Sequence, residues 1–357
     1  MATFAVTVQR LTIAPHPNAD RLELAQIGGY VSVVGKGQFA TGDLAAYIPE
    51  AALVPDDVLA QMGLEGKLAG AEGRRVKAMR LRGVLSQGLC YPARGEWELG
   101  QDVTEELGVV KYEPPVPTHM SGVLWGAGPE RTLRYDVENI KRFPDVFQEA
   151  EEVVFAEKLH GTWCQIGLMD ESLADEAHGD LVVSSKGQAA KGLAFVPDAQ
   201  ENAHNLYLRA ARATGLEQSV DEAQRPCFVL GEVFGAGVQD LGYGHHAKQE
   251  QGLGFRVFDV YVGRPGQGRY LDDAELDAWC AQHDVERVPV LYRGPFSQEA
   301  LEHWTSGKES VSKQALHIRE GVIVRPARER RDDALGRVQL KSIAPEYLLR
   351  KNATEYT

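Results

Sequence analysis

A single lysine stands between two strand-like runs in Glu157-Lys158-Leu159-His160-Gly161-Thr162. Apolar Val153, Val154 and Phe155 lead into it, Trp163–Leu168 leads away, and Gly161 supplies a tight turn. That spacing puts the amine in a loop between two core strands, inside a pocket rather than on a helix face. A lysine amine is a nucleophile only after losing its proton, and burial or nearby cations draw its pKa towards neutrality. Attack on the α-phosphate of a nucleotide would then give a phosphoramidate. Taken alone, Lys-x-His-Gly is a short pattern that a surface lysine could equally carry.

Its company narrows the reading. Downstream lie Ser185-Lys186-Gly187, Leu230-Gly231-Glu232-Val233-Phe234-Gly235 and Phe255-Arg256-Val257-Phe258-Asp259-Val260. Arg319-Glu320-Gly321-Val322-Ile323-Val324 and Val338-Gln339-Leu340-Lys341 follow. Each sets a charged or polar residue in, or at the end of, a β-prone run, so the side chains can converge on one cleft. Other fragments only imitate known motifs. Gly66-Lys67 is followed by Leu68, which excludes a Walker A loop, and Leu85-Ser86-Gln87-Gly88 lacks the first glycine of a nucleophile elbow. Gly235-x-Gly237-x-x-Asp240 ends in aspartate where a dinucleotide fingerprint needs glycine.

The elements that must hold these residues fall into two parts. Residues 1–112 read as short strands (Phe4–Leu11, Tyr30–Gly35, Leu44–Ile48, Arg75–Leu81) with one helix near Pro55–Met62. An OB-like β-barrel that binds nucleic acid fits this pattern. Residues 113–133, rich in Pro and Gly, read as a linker. Residues 134–357 mix strand candidates with helices at about 198–214, 272–283 and 297–305, an α+β domain with a mainly antiparallel sheet core.

Composition sets outer bounds. No run of 18 apolar residues occurs in this sequence, which argues against a membrane span, and the start lacks the basic and apolar regions of a secretory signal. The four cysteines form no C-x-x-C pair, so a reducing cytoplasm is expected and a zinc or disulfide framework is not. Net charge is −13 over 357 residues. Phosphate contact needs only a local basic surface, and Arg74, Arg75, Lys77, Arg80 and Arg82 supply five cations in nine residues, as a nucleic-acid contact or as a solvated strand face.

The order and spacing of the charged runs match the nucleotidyltransferase motifs I, Ia, III, IIIa, IV and V of covalent lysine ligases and capping enzymes, whose catalytic domain is an ATP-grasp-like antiparallel sheet. His160 resembles the RNA ligase version of motif I, where DNA ligases generally carry aspartate. Asp136-Val137-Glu138-Asn139-Ile140-Lys141-Arg142-Phe143-Pro144 also looks ligase-like. His16-Pro17-Asn18-Ala19-Asp20-Arg21-Leu22 resembles OB modules that bind tRNA. Together with Arg82–Leu89 it is similar to the N-terminal module of the fifth, Deinococcus-type RNA ligase family, a resemblance that spans about residues 5–352. Only 16 residues follow Lys341, too few for the C-terminal barrel of DNA ligases and capping enzymes.

The resemblance implies roles. Lys158 would carry AMP, Glu157 and Phe258 would hold the adenine, and Glu232 the ribose. Glu320 and Asp259 would serve a divalent metal, Mg2+ or Mn2+. Lys341 and Lys186 would stabilise charge on the transferred phosphate, and His160 would position a phosphate or nicked end, or else serve as a supporting histidine bonded to the backbone. Two departures stand out: motif V shows Lys341 without a Lys-x-Lys partner, and Lys186 stands where many relatives carry arginine. Asp240 and Tyr243 could touch RNA or close a turn. The implied activity is ATP-dependent sealing of 3′-hydroxyl/5′-phosphate nicks whose 3′ end is RNA, by a monomer engaged in RNA repair. The alternatives are a DNA ligase-like enzyme and a GTP-dependent capping nucleotidyltransferase.

Overall fold

The computed structural model describes residues 4–235, 237–245, 252–351 and 353–354. In the N-terminal part, strand Leu44–Ile48 alternates between two cores and is buried on both faces. Ala45 and Tyr47 join Leu11, Ala25 and Val34 on one side, while Ala46 and Ile48 join Val6, Val54 and Leu59 on the other. The strand pairs antiparallel with Thr7–Arg10 and Leu89–Pro92, and a second antiparallel sheet runs Thr12–Pro15, Leu22–Ile27, Tyr30–Gly35. Helix Asp56–Met62 has the expected acidic first turn and stops at Gly63, whose φ of 65° suits glycine. These pieces form the small barrel read from the sequence.

Two stretches differ from expectation. Of Arg75–Leu81 only Met79–Leu81 is strand, paired with Val84–Ser86. Val76 is drawn inward instead, its N–H donating to the Ala52 carbonyl and its own carbonyl accepting from Ala51. Within 113–133, Met120, Ala127 and Leu133 are buried and Leu124–Gly126 pairs with Leu193–Phe195, so part of this segment packs on the following domain.

That domain contains two five-stranded sheets. The first has the order Glu138–Asn139, Leu340–Ile343, Gly321–Pro326, Glu152–Lys158, Val290–Pro295, and the second Leu181–Ser185, Thr162–Leu168, Cys227–Gly235, Leu253–Val262, Arg269–Tyr270. All pairings are antiparallel except that of Glu138–Asn139 with Leu340–Ile343. Helices Leu206–Ala213 and Asp273–Gln282 cover the second sheet, and Gln298–Thr305 covers the first. Their starts follow the sequence: Asp272 and Glu275 form a capping box, and the Ser297 hydroxyl accepts from the Ala300 N–H. A small apolar cluster of Ala156, Leu159, Phe234, Tyr243 and Val288 links strands of the two sheets, and Phe258 packs on it.

Candidate active site

The chain passes from the first sheet to the second at the Lys158 turn, and four constraints fix that turn. Lys158 ends its strand, and Leu159 is buried. The His160 N–H donates to the Tyr243 hydroxyl at 2.7 Å, and the Gly161 N–H donates to Glu232 Oε1 at 3.1 Å. A Cβ on Gly161 would lie 2.1 Å from the Val233 carbonyl oxygen, so only glycine fits. The Lys-x-His-Gly spacing is thus a packing requirement of the crossing between sheets.

Neighbouring strands bring charge to the turn. Glu320 directly precedes Gly321–Pro326, which pairs with the lysine strand, and its Oε1 lies 2.7 Å from Lys158 Nζ. Gly321 packs so tightly that a Cβ would meet the Ser342 carbonyl oxygen at 2.1 Å. Burial pulls the Lys158 amine down, but Glu320 and Glu232 outweigh it and hold the amine above its ordinary value. The expectation of a lysine already drawn towards neutrality is therefore not met in this state. Burial lifts Glu232 to about 7, despite the nearby Lys158 charge. Lys341, on Leu340–Ile343, is pushed down to about 8 by burial and by the charges of Lys158 and Lys186. Lys186 starts a short helix after Leu181–Ser185 and pairs with Asp136 at 3.1 Å. Lys158, Lys186, Glu232, Glu320 and Lys341 thus come together as the motif order implied.

Glu157 points away from this cluster. Its Oε2 accepts from the Ser310 N–H at 3.0 Å and from the Ser310 hydroxyl, while Oε1 is buried without a hydrogen-bond partner among the described residues. Phe258 is the extra residue of a bulge, since Leu230 pairs with Asp259 and Gly231 with Val257. The bulge leaves its ring against the inter-sheet apolar cluster and 5.4 Å from the Tyr135 ring.

Asp259, expected to serve a metal, lies among cations here. It is fully buried, bound by Arg337, 3.5 Å from Arg325, and accepts from the Tyr135 hydroxyl at 2.9 Å. Arg337 and Tyr135 bind Oδ2 of this carboxylate, while Oδ1 faces Arg325 and is buried without a hydrogen-bond partner among the described residues. The shift of register at the bulge reverses the facing that simple alternation from Phe258 suggests. The basic run is also thinner than its composition implied. Arg74 pairs with Glu72 and approaches Asp56, and the Arg75 guanidinium lies 3.6 Å over the Tyr112 ring. Lys77 is half-buried, while Arg80 and Arg82 stand exposed on the Met79–Leu81 hairpin.

His160 is held from three sides. Its Nε2 lies 2.8 Å from Asp240 Oδ1 and its Nδ1 2.7 Å from the Tyr347 hydroxyl. Arg350 donates to the same Asp240 carboxylate at 3.1 Å and 3.2 Å. Asp240 and Tyr243 therefore support the lysine turn directly. Tyr347 and Arg350 went unassigned in the sequence because nothing local ties a C-terminal segment to a residue nearly two hundred positions earlier. Asp136 was legible only as part of a longer resemblance, and Tyr135, which links Phe258 to Asp259, was not singled out at all.

Among known proteins, the profile described as RNA ligase matches residues 151–343, and an OB-fold domain profile matches residues 5–93. No curated protein matches the chain. Solved structures of the Naegleria gruberi RNA ligase share the fold. A lysine mutant with AMP and Mn superposes with a TM-score of 0.79 at 23% identity, covering 97% of this chain and 98% of that one. An arginine mutant with ATP and Mn gives 0.78 at 23% identity, and the enzyme with PPi 0.77 at 23%, each with the same coverage. The ligase profile spans more than half of the residues, including Lys158, Lys186, Glu232, Glu320 and Lys341, and the chain belongs to the RNA ligase family.

Proposed function

We propose that this chain is an ATP-dependent RNA ligase that seals 3′-hydroxyl/5′-phosphate nicks bearing an RNA 3′ end, of the fifth, Deinococcus-type family. The observation that carries the reading is the convergence of Lys158, Lys341, Glu232 and Glu320 on one crossing between two sheets. In the first step Lys158 Nζ attacks the α-phosphorus of ATP; the N–P bond forms, the bond to the β-phosphate oxygen breaks, and pyrophosphate leaves. The AMP then passes to a 5′-phosphate, and a 3′-hydroxyl attacks that activated end and expels AMP. Lys341 and Lys186 act by position and charge, offsetting the negative charge that develops on the phosphate. Phe258 offers a ring face to the base, and the unpartnered Glu157 Oε1 offers an acceptor to an exocyclic amine such as that of adenine.

A divalent cation, Mg2+ or Mn2+, suits the donor set. Glu320 keeps Oε2 buried and unpartnered, and Glu232 is a second hard oxygen donor nearby. No cluster of three or more His, Cys, Asp or Glu able to hold a metal occurs among the described residues, so phosphate and water would complete the shell. Held by Glu320 and Glu232, the cation would neutralise phosphate charge and weaken the field that keeps Lys158 protonated. No described helix is long and apolar enough to cross a membrane, and we place the enzyme in the cytoplasm as a monomer acting in RNA repair.

Intact-mass measurement after incubation with a divalent metal and either ATP or GTP tests the first step. A covalent AMP gain that Lys158→Ala abolishes is expected, with no GMP gain. Nicked duplexes differing only in the 3′-terminal sugar then test the substrate. Equal sealing of a DNA 3′ end would overturn the RNA preference, and a GMP adduct would favour capping chemistry.

A further inference from the structure

A second feature of the catalytic domain has no part in the chemistry above. A cavity of about 880 Å³ opens between residues 129–134, the turn 189–192, the hairpin of Leu253–Val262 with Arg269–Tyr270, and residues 329–337. Six cations line it against two acids, Asp272 and Glu329. Both acids are occupied. Asp272 caps its helix and accepts from the Glu329 N–H, while Glu329 holds Arg337 through two hydrogen bonds at 2.7 Å and 2.6 Å. Arg269 is paired with Glu275, and Arg330 with Glu151. Arg134, Lys191 and Arg331 remain, each exposed, each from a different segment, and none ion-paired among the described residues. Tyr270 gives the lining an aromatic surface, with the Arg337 guanidinium stacked 3.6 Å over its ring.

The cavity is joined to the reaction centre by the segments that build both. Arg134 lies two residues before Asp136, which grips Lys186, and Lys191 follows the short helix that Lys186 begins. A polyanion engaged at Lys186 therefore has Arg134 and Lys191 on the two segments that flank it. We propose that this cavity is a phosphate-backbone site for the RNA strand, with Arg134, Lys191 and Arg331 as its contacts. The shared chemistry is a chain of phosphates, which an RNA strand or a free polyphosphate could supply, and the site commits to RNA because the chain is an RNA ligase family member. The proposal rests on the ligase reading given above.

The test uses the full chain carrying Arg134→Ala, Lys191→Ala and Arg331→Ala together, none of which touches the Lys158 cluster. AMP uptake from ATP should stay within about twofold of the parent, which also shows that the domain is folded. Affinity for a nicked RNA-containing duplex should fall at least tenfold at moderate salt. The slope of log affinity against log salt should become shallower by about 2 to 3, since each lost phosphate contact removes roughly 0.7 to 0.9. Unchanged affinity and slope would overturn the proposal. Slower AMP uptake with a higher ATP requirement, with RNA binding intact, would assign the cavity to a free triphosphate and also overturn it. Failure of the parent protein to acquire AMP would sink the ligase reading alone, because the binding comparison stands without it.

Discussion

Lys158 Nζ and Glu320 Oε1 form a 2.7 Å ion pair at the turn between the two sheets. The Lys158 amine is thereby held charged by a carboxylate that also has a second, unpartnered oxygen. In the mechanism proposed above, reactivity is released by whatever neutralises Glu320 and Glu232.

Replacing Glu320 should therefore separate amine reactivity from catalysis. Removing the negative charge of Glu320 lowers the Lys158 pKa and leaves more free amine at pH 8. Glu320→Gln should label faster at Lys158 with an amine-acylating reagent while its AMP uptake falls by at least a hundredfold. Peptide mapping of the labelled protein, beside a rate measurement, checks both halves.

Lys341 sets a pH limit. Its amine is pushed down to about 8, so its charge is present below that value and fades above it. Phosphate transfer should gain a descending limb near pH 8. Lys341→Arg keeps its charge throughout and should remove that limb, at the cost of a lower maximal rate. A pH profile of single-turnover AMP uptake for both proteins decides it.

Asp259 should behave as a structural residue. Asp259→Asn removes one buried counter-charge of Arg325 and Arg337, which then keep only Asp273 and Glu329, a loss of about 1 to 3 kcal/mol. Its melting transition should drop sharply, while the metal concentration giving half-maximal AMP uptake stays that of the parent. A large rise in that concentration with normal stability would return Asp259 to the metal site.

Gly161→Ala should fail for steric reasons. The new methyl would meet the Val233 carbonyl oxygen at 2.1 Å, and overpacking of this kind costs about 1 to 3 kcal/mol. The turn would move and Glu232 would lose its hydrogen bond from the Gly161 N–H. Both the melting temperature and AMP uptake should fall, with ATP binding reduced in a filter or fluorescence assay.

The Asp240 carboxylate carries an acid-sensitive support. Burial raises its pKa, but hydrogen bonds from His160, Arg350 and Thr354 outweigh this and hold it well below the usual carboxylate range. Its contribution to stability is complete above the ordinary value of 3.8 and is lost as pH falls below it. Asp240→Asn should melt earlier than the parent at pH 7, and the gap should narrow below pH 4.

Much of this molecule can be read without coordinates. Strands Tyr30–Gly35 and Leu44–Ile48 and the helix starts at Asp56, Asp273 and Gln298 follow from local periodicity and capping chemistry, which act within a few residues. The charged runs carrying Lys158, Lys186, Glu232, Glu320 and Lys341 are equally local, because each sits at a fixed place on a β-prone segment. Tertiary structure alone decided which charges face one another. One extra residue opposite Leu230 and Gly231 turned Asp259 towards Arg325 and Arg337, a consequence of register that no single-strand pattern contains. The same holds for the protonated state of Lys158 and for the hold of Asp240, Tyr347 and Arg350 on His160. Electrostatic fields and long-range hydrogen bonds depend on distances in space, and these are set only when the two sheets pack.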